Sequence, residues 1–209
     1  VSGISELVNY AADSEVVAII SNIILKWDEF DNDLAEDLAK YLSNICYPST
    51  KEAMRSLVNE DDLQVAIMQL MHKIKVFPSA TKHLCTALQN LLIHPDNSRD
   101  LCGTVLPTLM ECMDKNHDLA AARAVFNISC VATCVAPLME SRVHILMQSL
   151  FTKNADIEAR NVYLSTMLQL MRVDQCIKEL YNNGILDALH ASITNSETEA
   201  LWPNAINIM

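Results

Sequence analysis

Apolar residues recur at i, i+3, i+4 and i+7 along most of the chain, the spacing that lines one face of an α-helix. Ile4, Leu7 and Val8 predict a first short helix. Val16, Ile19, Ile20, Ile23 and Ile24 predict a second, although that β-branched run would also suit a strand. Leu34, Leu38, Tyr41, Leu42 and Ile45 predict a third that ends before Pro48, and Met54, Leu57 and Val58 a fourth. A fifth runs from Leu63 to Val76 and stops at Pro78, and a sixth carries Leu84, Leu88, Leu91 and Leu92 and stops at Pro95. Proline pushes the preceding residue off helical dihedrals, which makes these three prolines natural boundaries. The pattern predicts further helices over about 98–114, 118–132, 139–152, 155–172, 174–182, 184–194 and 197–209. The breaks are short and polar, as at Asp96-Asn97-Ser98, Lys115-Asn116-His117, Asn182-Asn183-Gly184 and Asn195-Ser196, where the side chains suit helix caps.

Composition narrows this to a nearly all-helical chain. The 209 residues include only three glycines and six prolines, too few turn residues for a β-sandwich or a doubly wound sheet. Hydrophobic residues make up 51%, enough for a large core and against disorder. Many short helices fit neither a coiled coil nor a four-helix bundle. Fifteen basic residues against twenty-six acidic ones leave a net charge of −11, which argues against nucleic acid and anionic membranes as partners. No apolar run reaches the length of a membrane span. Seven cysteines sit mostly within apolar helical patterns; their odd count argues for reduced, buried thiols in a cytoplasmic protein, with nuclear shuttling compatible. Val1-Ser2-Gly3-Ile4 has neither a basic leader nor an initiator methionine, and the end stops within a helical pattern, so a fragment of a longer protein is expected.

A small motif returns along the chain: two apolar residues, any residue, Asn, then Ile or Leu. Copies are Ile19-Ile20-Ser21-Asn22-Ile23, Tyr41-Leu42-Ser43-Asn44-Ile45, Ala87-Leu88-Gln89-Asn90-Leu91, Ala124-Val125-Phe126-Asn127-Ile128 and, shortened, Ala205-Ile206-Asn207-Ile208. A second motif, Leu106-Pro107-Thr108-Leu109-Met110, is echoed by Gly184-Ile185-Leu186-Asp187-Ala188-Leu189 and loosely by Gly3-Ile4-Ser5-Glu6-Leu7-Val8. The whole chain resembles an armadillo-repeat protein, with HEAT-type repeats as the near neighbour. A repeat in that family has a short first helix, a second beginning near Gly-x-Ile-Pro-x-Leu-Val, and a longer third bearing Ala-x-x-Ala-Leu-x-Asn-Leu-Ala. Ala121-Ala122-Arg123-Ala124-Val125-Phe126-Asn127-Ile128-Ser129 is similar to that third-helix pattern at almost every position. Third helices then fall at about 13–26, 61–76, 118–132, 155–172 and 197–209, with Asn22, Gln69, Asn127, Ser165 and Asn207 at the asparagine position. The first two intervals exceed the roughly 40 residues of such a repeat. A different phase, with Asn44 and Asn90 on third helices, fits nearly as well.

The resemblance implies an all-α fold, a right-handed α-solenoid of about five armadillo-like repeats, with residues 1–209 as a single helical repeat domain. Third helices line its concave groove, where a row of amide side chains pairs with the backbone of an extended peptide. Import receptors of the family carry Trp four residues before the Asn, but here those positions hold Ala18, Val65, Arg123, Asn161 and Pro203, which disfavours nuclear-localisation-signal binding. Arg123 suits a carboxylate or phosphate, and Lys26, Lys73 and Arg172 extend a basic strip suited to acidic or phosphorylated peptides. The expected peptide-binding residues are therefore Asn22, Gln69, Lys73, Arg123, Asn127, Asn161, Ser165 and Asn207.

Plainer roles compete. The asparagines could bridge repeats, and Arg123 could pair with Asp118 or lie along a solvated face. The acidic run from Asp28 to Asp37 suits a solvated helix start and lacks the central glycine of a calcium loop. No Cys-x-x-Cys pair, His-Glu-x-x-His, Gly-x-Ser-x-Gly, phosphate loop or dinucleotide fingerprint occurs, so no catalytic residue, metal or cofactor is expected. Function should be that of an adaptor or scaffold binding a partner peptide. The alternative is a structural or regulatory arm that docks a folded partner in a cytoskeletal, polarity or GTPase-regulating assembly. Truncated repeat ends expose apolar faces, which would allow an end-to-end dimer.

Overall fold

A computed structural model describes residues 14–26, 32–46, 61–73, 78–154 and 156–193. The helices expected at 4–8, 54–58 and 197–209, and with them Asn207, Trp27, Trp202 and residues 28–31 of the acidic run, lie outside the described residues. Contacts divide the chain into two compact units, Val1–Asn97 and Ser98–Met209. All regular elements among the described residues are helical.

The first unit contains α1 (Ser14–Lys26), α2 (Asn32–Ile45), α3 (Asp61–Lys73) and α4 (Pro78–Leu91). The β-branched run of α1 forms a helix rather than a strand, with Ser21 and Ile24 buried one turn apart. α1 packs on α3, and α2 on α4. Their contacts come from the apolar stripes: Leu38 and Leu42 on α2, Ile67 and Leu70 on α3, Leu84 and Leu88 on α4, all buried. A polar tie adds to the second pair, where Ser79 Oγ donates to Glu36 Oε2 at 2.9 Å and Lys40 Nζ holds Glu36 Oε1 at 2.7 Å. After α4 the buried Asn97 amide donates to the Leu91 carbonyl at 2.8 Å, closing one of the carbonyls left open at a helix end.

α5 (Pro95–Asn116) starts at the edge of the first unit and runs into the second. It begins earlier than expected because proline is tolerated at the first helical position. There follow α6 (Leu119–Ser129), a 3₁₀ turn (Ala132–Cys134), α7 (Val135–Glu140), α8 (Val143–Lys153), α9 (Ile157–Leu170), α10 (Asp174–Asn182) and α11 (Ile185–Ile193). The sequence pattern missed α7. It is too short for a full apolar period, and its Pro137 sits in the first turn, where the missing N–H costs nothing. Aspartates start two helices: Asp118 Oδ1 accepts from the Ala121 N–H and Asp156 Oδ1 from the Glu158 N–H, each at 2.9 Å.

α9 packs on both α6 and α8, and α10 on α8 and α11. Tyr163 and Phe151 are fully buried at this centre, and the Arg160 guanidinium lies 4.5 Å from the Phe151 ring centroid. Within the second unit the triplet α7, α8, α9 is followed by α10 and α11. α6 and α9 lie against each other.

Candidate functional site

The expected site residues within the described range lie on α1, α3, α6 and α9. In the first unit, Asn22 on α1 and Gln69 on α3 are both exposed. The Asn22 amide donates to the Ala18 carbonyl of its own helix at 3.0 Å. Ile19, three residues before Asn22, is 60% exposed, and Val65, four residues before Gln69, is 46% exposed. Helical spacing puts each apolar residue on the same face as its amide. The packed pair α1 and α3 therefore presents two amides and two β-branched side chains. Lys73 ends α3, and its side chain lies outside the described residues.

In the second unit, Arg123 and Asn127 lie one turn apart on α6, and Asn161 and Ser165 one turn apart on α9, all half-buried. Arg123 Nη2 is ion-paired with Glu158 Oε1, on the first turn of α9. The partner expected from local spacing, Asp118, is instead occupied in capping α6. Ser165 Oγ donates to the Asn161 carbonyl at 2.8 Å, turning that hydroxyl towards its own backbone. Among the described residues, no group of three or more His, Cys, Asp or Glu is arranged to hold a metal ion.

The other asparagines of the repeated motif separate. Asn44 is exposed on α2, whereas Asn90 on α4 is only 6% exposed. α2 and α4, which carry these two asparagines, pack on each other.

Two further features escaped the sequence. His144 on α8 is 1% exposed, and its Nε2 lies 2.8 Å from Glu179 Oε2 on α10. One turn on, Gln148 Nε2 donates to the Asn183 carbonyl at 2.7 Å. The His144 hydrogen bond, then the one from Gln175, holds the Glu179 carboxyl below the ordinary carboxylate range. The local signal was a His and a Gln four apart on an apolar face; their partners lie 35 residues away. None of the seven cysteines forms a disulfide, and Cys130, at the end of α6, is exposed rather than buried. Burial pushes the thiols of Cys46, Cys102 and Cys176 up to about 12. Cys130 is also raised by partial burial, with Arg172 acting in the opposite direction.

No protein-family model matches this chain, and no curated protein sequence matches it. Solved structures do. A designed armadillo repeat protein in complex with the peptide (KR)4 superposes with a TM-score of 0.81 at 16% identity, over 99% of this chain and 87% of that one. Computationally designed armadillo repeat proteins for modular peptide recognition give 0.76 at 16% identity, over 99% and 90%. An engineered protein gives 0.80 at 16% identity, over 98% and 84%. The fold is an armadillo-like α-solenoid. The helices are thus those of armadillo-like repeats.

Proposed function

We propose that this chain is a protein–protein interaction module, an adaptor or scaffold that holds an extended segment of a partner polypeptide against its third-helix faces. The observation that carries the reading is the exposed pairing of amide and apolar side chains on α1 and α3: Ile19 with Asn22, Val65 with Gln69. An amide offers a peptide backbone donors and an acceptor whatever the peptide's sequence, and Asn22 keeps one N–H and its oxygen for this beside the bond to Ala18. Covering an exposed Ile or Val yields about 1.5–3 kcal/mol on full burial, so the same face rewards apolar side chains next to the gripped backbone. Likeness to a repeat protein solved with a bound peptide supports this reading.

On α6 and α9 the Arg123–Glu158 pair sits beside Asn127 and Asn161. An acidic or phosphorylated partner side chain would compete with Glu158 for the guanidinium, which adds a bidentate anion site to the amides. The role is one of binding, without catalysis or cofactor, and in the cytoplasm; seven cysteines, none of them in a disulfide, support that setting.

The test is affinity capture from cell lysate with the wild-type chain and a variant carrying Arg123→Glu and Asn127→Ala, compared by quantitative mass spectrometry. Exposed ion pairs contribute about 0–1 kcal/mol, so the variant is expected to keep its helical circular dichroism and melt within a few degrees of wild type. It should lose the captured partners. An unchanged partner set from the folded variant would remove the reading.

A further inference from the structure

A second recessed surface lies in the second unit, away from the third-helix residues. α5 and α8 leave a cleft of about 630 Å³ between them. Apolar side chains line it: Met110 from α5, Ile145 and Leu146 from α8. Charges stand on opposite walls, Asp114 on α5 and Arg142 at the start of α8. Lys115, also on the α5 wall, is engaged by Glu111 Oε1 at 2.7 Å. Arg142 is exposed; Glu179 on α10 attracts it at a distance, and no salt bridge closes between them.

The backbone at Arg142 is unusual. It precedes α8 with φ 58 and ψ 35, the left-handed region, and its side chain makes no capping hydrogen bond. The matching turn before α11 uses Gly184, at φ 77. Glycine enters this region without steric cost, whereas any side chain is strained there. The repeat ending in α9 thus carries an arginine where the next repeat carries glycine, and the strained residue places a cation at the cleft mouth. Strain of this kind is a pointer to a binding role rather than to stability.

We propose that the α5–α8 cleft docks an amphipathic segment of a partner protein. The segment inserts one apolar side chain of Leu, Met or Phe size against Met110, Ile145 and Leu146. A carboxylate on one side of it pairs with Arg142, and a basic side chain on the other side pairs with Asp114. Because the two charges stand on opposite walls, a segment of reversed order would bring like charges together, so the cleft selects direction as well as composition. This surface goes beyond the third-helix reading and does not depend on it.

Random peptides displayed on phage, selected against the intact chain, test the proposal. The enriched peptides are then synthesised and titrated by fluorescence anisotropy against wild type and three variants. We expect a consensus with one apolar residue flanked by an acidic and a basic one. Leu146→Arg should abolish binding. Arg142→Gly, which relieves the backbone strain and so retains the fold, should weaken binding about tenfold or more, the loss of one well-placed charge pair. The Arg123→Glu/Asn127→Ala variant should bind these peptides as wild type does. Failure to enrich any such peptide overturns the proposal. So does wild-type affinity for Arg142→Gly, or enriched peptides that lose binding only in the third-helix variant. Arg142→Gly keeps the test decisive even where Leu146→Arg fails to fold.

Discussion

Arg123 entered as a cation poised for a partner's anion and is held by Glu158 from the next third helix. Arg123 is half-buried but Glu158 is exposed, so water screens the pair and it is exchangeable, which makes it compatible with ligand capture. Glu179 lies in a tighter setting. Its carboxyl is held below the ordinary value of 4.5 by hydrogen bonds from His144 and Gln175. A carboxyl depressed in the folded state contributes stability above its unfolded pKa and loses it as pH falls through the folded one. The wild-type melting temperature should therefore fall as pH drops below about 4.5. Glu179→Gln should melt lower than wild type at neutral pH and lose less over the same acid range; parallel acid limbs would contradict the assignment. Thiols differ as sharply. Cys130 is exposed, whereas Cys46, Cys102 and Cys176 are buried and pushed up to about 12. Since the thiolate is the reacting form, iodoacetamide at mildly alkaline pH should alkylate Cys130 at least about tenfold faster than those three, as read by peptide mass spectrometry.

At the scale of elements, caps and apolar stripes account for most helix positions. α10 lies at Asp174–Asn182, as the periodicity predicts, and α9 and α11 differ from expectation by one or two residues at each end. α7 shows the limit, since six residues do not complete the pattern that identifies a helix. α5 departs in another way, running for 22 residues with Pro107 inside it. Proline lacks the N–H and crowds the carbonyl four residues earlier, here that of Gly103. A Cβ added at Gly103 would meet nothing within 4 Å, so Gly103→Ala should stabilise the chain by about 0.5–1 kcal/mol through backbone entropy. Asp118→Ala should destabilise it by about 1 kcal/mol through loss of the α6 cap. Urea denaturation of the two variants checks both signs, and the same sign for both would contradict this account of the helices.

For the molecule as a whole, stability in a repeat array is close to a sum over units and their nearest-neighbour contacts. The packing of α1 on α3 and of α6 on α9 supplies such contacts within each unit. Opposing them is a net charge of −11, whose self-repulsion acts over the whole chain and is screened within about 10 Å at 0.1 M salt. Raising NaCl from about 10 mM to about 300 mM should therefore raise the melting temperature by a few degrees, despite weakening the exposed ion pairs. A fall would mean that specific pairs such as Arg123–Glu158 outweigh the overall repulsion.

The sequence by itself determined that the chain is helical, where most helices begin and end, and that they recur in an armadillo-like pattern. Those properties follow from a 3.6-residue period and from caps a few residues away, all local along the chain. Only the tertiary structure decided which motif asparagines are covered and which cations are engaged. Asn90 and Asn22 share a local motif, yet one is sealed and the other exposed, because burial depends on which helix arrives from another repeat. Arg123 found Glu158 and His144 found Glu179, each 35 residues along the chain, about one repeat onwards. Contacts between successive repeats are set by stacking, and local spacing carries no record of them.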